Sequence, residues 1–166
     1  MFKEPSNKVL CKLLSPPNET HINIYKNHCD RHKKLKNRRS RCSCFIGFQA
    51  YLVFSNNDII GPVIPSQAAP SDTHLPSCHA EVGVINYAKS KKRNLSKATL
   101  YCVRWIPSND TNKWILSDGV PCKHCFRYAL QNGITKYGVS SSHQNKITIV
   151  PKSYIAENTK LSNGGK

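Results

Sequence analysis

Apolar residues recur along this chain in two rhythms. The run "CFIGFQAYLVF" (44–54) is aromatic and β-branched, a clear strand signal. "SNND" follows as a turn and "IIGPVI" resumes, which predicts a β-hairpin. "ATLYCVRWI" (98–106) reads as a strand, with Tyr101, Cys102 and Trp105 expected in its packing. "KYGVSS" and "ITIVP" read as two short strands near the end. The other rhythm is helical. "AEVGVINYAKSKK" is apolar over most of its circumference at the start, so it predicts a largely buried helix. "PCKHCFRYALQNG" predicts a helix with Pro121 near its first position and Asn132–Gly133 as its stop. From Thr20 a basic helix is expected, with Ile22, Tyr25, Cys29 and Leu35 roughly on one face.

Between these elements lie breaks. Residues 1–19 are polar and interrupted by "SPPN", so they read as an extension or loop. "PSQAAPSDTHLPS" (65–77) is a long loop of the kind that often carries function. "PSNDTNKW" reads as another loop, and "AENTKLSNGGK" as a disordered tail. Helices alternating with strands imply an α/β fold of three layers, α/β/α, around a mixed sheet. The last two strands are joined by about six residues, too few for a parallel crossover, so that pair is expected to be antiparallel. The chain divides into a basic N-terminal extension and helix (1–41), one α/β domain (42–155) and a flexible tail (156–166).

With 166 residues, the chain is long enough for a core that needs no disulfides. No apolar run approaches the length of a membrane span, and "MFKEPSNKVL" lacks the apolar segment of a secretory signal. A soluble intracellular protein of the cytoplasm is the expectation. In that compartment eight cysteines point to metal ligation or to small buried hydrophobes.

The formal net charge is +16. Such an excess suits a protein that meets nucleic acid. An AT-rich genome, as in many phages and large viruses, would also enrich lysine without selection for binding; the host-cell cytoplasm would then be the compartment. It accounts less well for "RHKKLKNRRSR" (31–41), where arginine is concentrated. Arg38, Arg39 and Arg41 are therefore candidate phosphate or nucleic-acid contacts, against the alternative of a solvated linker. Trp114, beside a polar loop, is a candidate for stacking on a base.

Two stretches carry chemistry. In "PCKHC", Cys122 and Cys125 stand at i and i+3 in the first turn of a helix, on one face. The helix N-terminus favours negative charge there, so both thiols ionise more easily. In "CHAE", about forty residues earlier, His79 offers an imidazole as third ligand and Glu81 a carboxylate two residues on. Three ligands leave the fourth position of a tetrahedral zinc ion open for water, whose pKa falls to about 7. Glu81 could then shuttle protons without binding the metal. A second, structural ion held by His28, Cys29, His32, Cys42 and Cys44 is not expected, because Cys-x-Cys is an uncommon zinc spacing. His124, between the two cysteines, is expected to point away from the metal.

His-x-Glu followed by Pro-Cys-x-x-Cys is the signature of zinc deaminases of nucleobases. On "CHAE", "PCKHC" and the continuing "NGITKYGVSSS", the sequence resembles the cytidine deaminase-like superfamily. The resemblance implies one zinc ion on His79, Cys122 and Cys125, with Glu81 as the catalytic proton carrier. It implies hydrolytic deamination of a cytosine compound, a small pyrimidine nucleoside or nucleotide, with release of ammonia. A base-editing deaminase of RNA or DNA, or a zinc-containing nucleic-acid-binding protein without catalysis, are the alternatives. Ala80 and Pro121 would line the base pocket. Relatives place an asparagine that contacts the sugar after the second strand; here Pro65 or Ser66 stands there, so Ser66 is the candidate contact. Homo-oligomers are common among such proteins.

Overall fold

The computed structural model describes residues 5–18, 47–63, 79–108, 113–143 and 146–159. In chain order these form α1 (Asn7–Leu13), β1 (Phe48–Phe54), β2 (Ile59–Ile60), α2 (Ala80–Ser90), β3 (Ala98–Pro107), β4 (Trp114–Ser117), α3 (Lys123–Gln131), β5 (Lys136–Ser141), β6 (Lys146–Pro151) and α4 (Lys152–Asn158). The result is an α/β fold with an open, mixed sheet and four helices among the described residues. The expected three-layer arrangement is compatible with it, though other α/β proteins share that plan.

The sheet runs β2-β1-β3-β5-β6, with β4 also paired to β3. β1 lies antiparallel along β3 from Phe48↔Arg104 to Phe54↔Ala98. The other edge of β3 is shared. β5 pairs parallel with Thr99–Cys102, and β4 pairs antiparallel with Arg104–Pro107. β5 and β6 form the antiparallel pair that their short connection requires.

β1 and β3 are buried on both faces, which is why they read as nearly continuous apolar runs. Alternate residues serve two cores. Ala50, Leu52, Phe54, Leu100 and Cys102 meet Val84, Ile85 and Ala88 of α2, Phe126 and Ala129 of α3, and Ile155 of α4. Tyr51, Val53, Tyr101, Val103 and Trp105 face the opposite side, where Val9 and Leu13 of α1 cover them. Burial there holds the Tyr101 phenol up to about 12.

Three sequence readings are corrected by these placements. Residues 1–19 are not all loop. Ser6 caps α1 by accepting from the Val9 amide, and Val9 and Leu13, one helical turn apart, are fully buried. "SPP" comes just after this helix and stops it, rather than excluding a helix from the segment. β4 begins at Trp114, the last residue of the stretch read as a loop, and continues through "ILS". The stretch read as a tail begins inside α4, which runs to Asn158. The helix expected from Thr20, the second cysteine–histidine group and the loop 65–77 lie outside the described residues.

Candidate metal centre

α2 and α3 both start at the same place. His79 is the N-cap of α2 and Cys122 the N-cap of α3, each with extended backbone and no side-chain capping bond. Their side chains are free to turn toward each other instead. Pro121 is therefore one residue before the cap, not at the first helical position. α3 ends as expected: Asn132 is its C-cap, and Gly133 adopts φ +88°. The Gly133 and Ile134 amides donate to the Leu130 and Ala129 carbonyls, closing the last turn.

The donor atoms of His79, Glu81, Cys122 and Cys125 all lie within 4.8 Å of one another. His79 Nδ1 is 3.1 Å from Cys125 Sγ and 3.5 Å from Cys122 Sγ. Ligands on one tetrahedral zinc ion stand roughly 3.6 Å apart for a sulfur–nitrogen pair, given bonds of about 2.3 and 2.05 Å. Two thiols and an imidazole nitrogen at such spacing fit a single Zn²⁺. The cluster thus resembles a zinc-binding motif.

The charges of the metal-free cluster follow from burial and from shared protons. The Cys122 thiol is held down to about 4, chiefly by a hydrogen bond from Cys125, with His79 assisting. Cys125, fully buried, is pushed up because it donates that bond and has lost solvent. One thiolate and one thiol result, and zinc would displace the remaining proton. Glu81 is 3 % exposed, and its burial raises its carboxyl above the usual range against the opposing pull of His79. Cys102, buried on β3, is raised by desolvation and then by the charges of Glu81 and Cys122.

The segment that presents Cys122 is pinned from three sides. Ser140, 1 % exposed at the end of β5, donates through Oγ to the Ser117 carbonyl at 2.6 Å and accepts from the Arg104 amide at 3.0 Å. The Gly119 amide donates to the Ser140 carbonyl at 3.0 Å. Asp118 Oδ1 accepts from the Ser142 amide at 3.0 Å and from its hydroxyl at 3.3 Å. Beyond them, Thr159 Oγ1 donates to the Pro121 carbonyl at 2.7 Å, so the chain after α4 returns to the start of α3.

Of the other residues singled out in the sequence, Ala80 is buried in the first turn of α2, and Pro121 is fully buried beside Cys122. Trp114 is not brought to the cluster. It packs against the cluster that contains Val9, Leu13 and Trp105, on the α1 side of the sheet opposite α2 and α3. His124 lies outside the donor set, and its buried Nε2 has no hydrogen-bond partner among the described residues. Ser66, Arg38, Arg39 and Arg41 fall outside the described residues. Sequence reasoning missed Asp118, Gly119, Ser140, Ser142 and Thr159. "DG" immediately before "VPC" was the one available signal, since it marks a tight segment leading into the motif. No helix among the described residues is long and apolar enough to cross a membrane. No protein-family model matches the chain and no curated protein matches it, so its likeness to zinc deaminases rests on the cluster of His79, Glu81, Cys122 and Cys125.

Proposed function

We propose that this chain is a zinc-dependent hydrolytic deaminase acting on cytosine in a nucleoside or nucleotide. One observation carries the reading: the imidazole, two thiols and a buried carboxylate converge within 4.8 Å from the starts of two helices. His79, Cys122 and Cys125 would hold Zn²⁺. When bound, the ion supplies a Lewis acid that makes water ionisable near neutral pH.

The protein's own groups supply the rest. The N-termini of α2 and α3 bring first-turn amides and positive dipole ends to the site, where the Cys125 amide bonds to Cys122 and favours its thiolate. Glu81 stands in the first turn of α2, buried, with a raised affinity for protons. That suits a carboxylate that takes a proton from the attacking water and delivers it to the departing ammonia. Ala80 and Pro121, both buried at the mouths of their helices, would form apolar walls against a planar base.

The test is ammonia release by zinc-loaded protein on cytidine, deoxycytidine, CMP, dCMP, single-stranded DNA and RNA, with Glu81→Gln run beside it. Turnover of a small cytosine compound that the variant lacks supports the reading. Zinc bound one per chain with no turnover on any substrate would reject deamination of these substrates. Absence of stoichiometric zinc would reject the metal centre itself.

A further inference from the structure

We infer that the outer face of α2 and α3 is a docking surface for the phosphate backbone of a nucleic-acid strand. This inference stands apart from the catalytic reading, because the face lies on the solvent side of the helices and runs away from the cluster.

The face is cationic and almost unopposed. No Asp or Glu occurs between Glu81 and Asp110, nor between Asp118 and Glu157. α2 and the turn after it carry Lys89, Lys91, Lys92 and Arg93, and α3 carries Lys123 and Arg127. Of these, Arg93 alone has an acidic partner among the described residues, Asp58 at 3.2 Å. Of the other described acids, Glu81 is buried, Asp118 binds Ser142, and Glu157 is an exposed residue of α4. Lys123 and Arg127 stand one turn apart on α3, a like-charge spacing that weakens a helix unless an anion neutralises it.

The cations are also organised. Tyr128 of α3 donates to Asn86 of α2, tying the two outer faces together. Lys89 lies over the Tyr128 ring at 5.7 Å, and Lys91 over the Tyr87 ring at 5.6 Å. Rings that hold two ammonium groups in place lower the entropic cost of presenting them to phosphates. Tyr87 is 45 % exposed, which leaves aromatic surface beside the charges for a base to stack on. Lys92 adopts φ +56° in the turn that closes α2, where glycine or asparagine is preferred. A lysine there costs backbone strain and gains nothing from packing, since it is exposed.

From Lys123, next to Cys122, to Lys92 beyond the far end of α2, the stripe follows helices of 9 and 11 residues. That geometry suits a linear polyanion better than a single phosphate. Apart from Tyr87, the exposed side of α2 is polar, with Asn86, Lys89, Ser90 and Lys91, so it lacks the continuous apolar stripe of a helix that lies in a bilayer surface. Aromatic rings among the cations favour nucleic acid over an acidic peptide.

The experiment measures binding of the full-length zinc-loaded protein to a fluorescent single-stranded oligonucleotide by anisotropy, as a function of salt. The variant combines Lys89→Gln, Lys91→Gln and Lys92→Asn, all exposed and none at the metal cluster. Asparagine tolerates the left-handed backbone at 92, so the variant should fold at least as well. Three lost phosphate contacts lower the log–log salt slope by about 2, so the fall in affinity from about 50 to 200 mM salt becomes roughly twentyfold smaller than in the wild type. Arginine at the same three positions should restore the wild-type slope. A slope unchanged by the triple substitution would overturn the inference. So would equal affinity for polyglutamate or for vesicles of anionic lipid, which would assign the face to another partner.

Discussion

Gly119 offers the sharpest test of how the candidate metal centre is built. A Cβ added there would stand 2.2 Å from the Cys102 carbonyl oxygen and 2.6 Å from Ser140 Oγ. The first approach is about 1 Å short of ordinary van der Waals contact. The Cys102 carbonyl cannot retreat, because β3 is paired to β1 on one edge and β5 on the other at that residue. The segment carrying Gly119 must move instead, and Cys122 lies three residues along it. Metal ligands tolerate displacements of only about 0.2 Å. Gly119→Ala should therefore weaken zinc binding by about 10- to 100-fold, the range for residues that support ligands, or roughly 1.4–2.7 kcal/mol. Overpacking should also cost about 1–3 kcal/mol of stability. The assay is competition for zinc against a chromogenic chelator, paired with thermal melts of the metal-free protein. Adding Ser140→Ala should not rescue binding, since it relieves the 2.6 Å contact and leaves the 2.2 Å one. A Gly119→Ala protein that melts lower yet holds zinc as tightly as the wild type would refute the claim that this segment positions Cys122.

Other expectations arise from the same geometry. Glu81→Gln should keep its zinc and lose about 10²–10⁴ in kcat on whichever substrate is turned over. In the metal-free protein the raised carboxyl of Glu81 contributes stability that is complete below its ordinary value of 4.5 and lost as pH rises through its folded value. Melts of metal-free Glu81→Gln should not show that loss, and a wild-type-like decline would show that Glu81 is not its source. Cys122 of the metal-free protein should react with iodoacetamide at neutral pH and down to the region of pH 4, where its thiolate is lost, while Cys125 stays protected; mass spectrometry of the labelled peptide decides. Leu13→Ala should cost about 2–5 kcal/mol by denaturant melt, because Leu13 is fully buried against the sheet. A cost near zero would mean that α1 is an appendage and not part of the domain.

What could be read in advance depended on distance along the chain. The two ligand-bearing stretches were legible because each is a local pattern: His79 and Glu81 two apart, Cys122 and Cys125 one turn apart. β1 and β3 were legible because strands buried on both faces have few polar interruptions. β4 was not, since only Ile115 and Leu116 follow Trp114 as apolar residues, and Ile115 is exposed. α1 was masked by the prolines that follow it, although Ser6 with Val9 and Leu13 is a cap followed by one apolar stripe. Beyond the "DG" that precedes the motif, the support of the site could not be read. Ser140 bonds Ser117, Ser142 bonds Asp118 and Thr159 bonds Pro121, each pair chosen by tertiary approach rather than by spacing.

The bond from Thr159 to Pro121 sets an order of events during synthesis. His79, Cys122 and Cys125 leave the ribosome before Ser140, Ser142 and Thr159. β5, which carries Ser140, must also wait to join β3 across an intervening helix, a pairing of distant residues that forms slowly. A nascent chain therefore exposes the Cys122 thiol before the residues that fix its position have emerged. Zinc delivered early would meet flexible ligands, and zinc delivered after release would meet a shaped cradle. Loading of zinc at this cluster would then be tied to emergence of the chain through residue 159, which would make the timing of metal supply part of its biosynthesis.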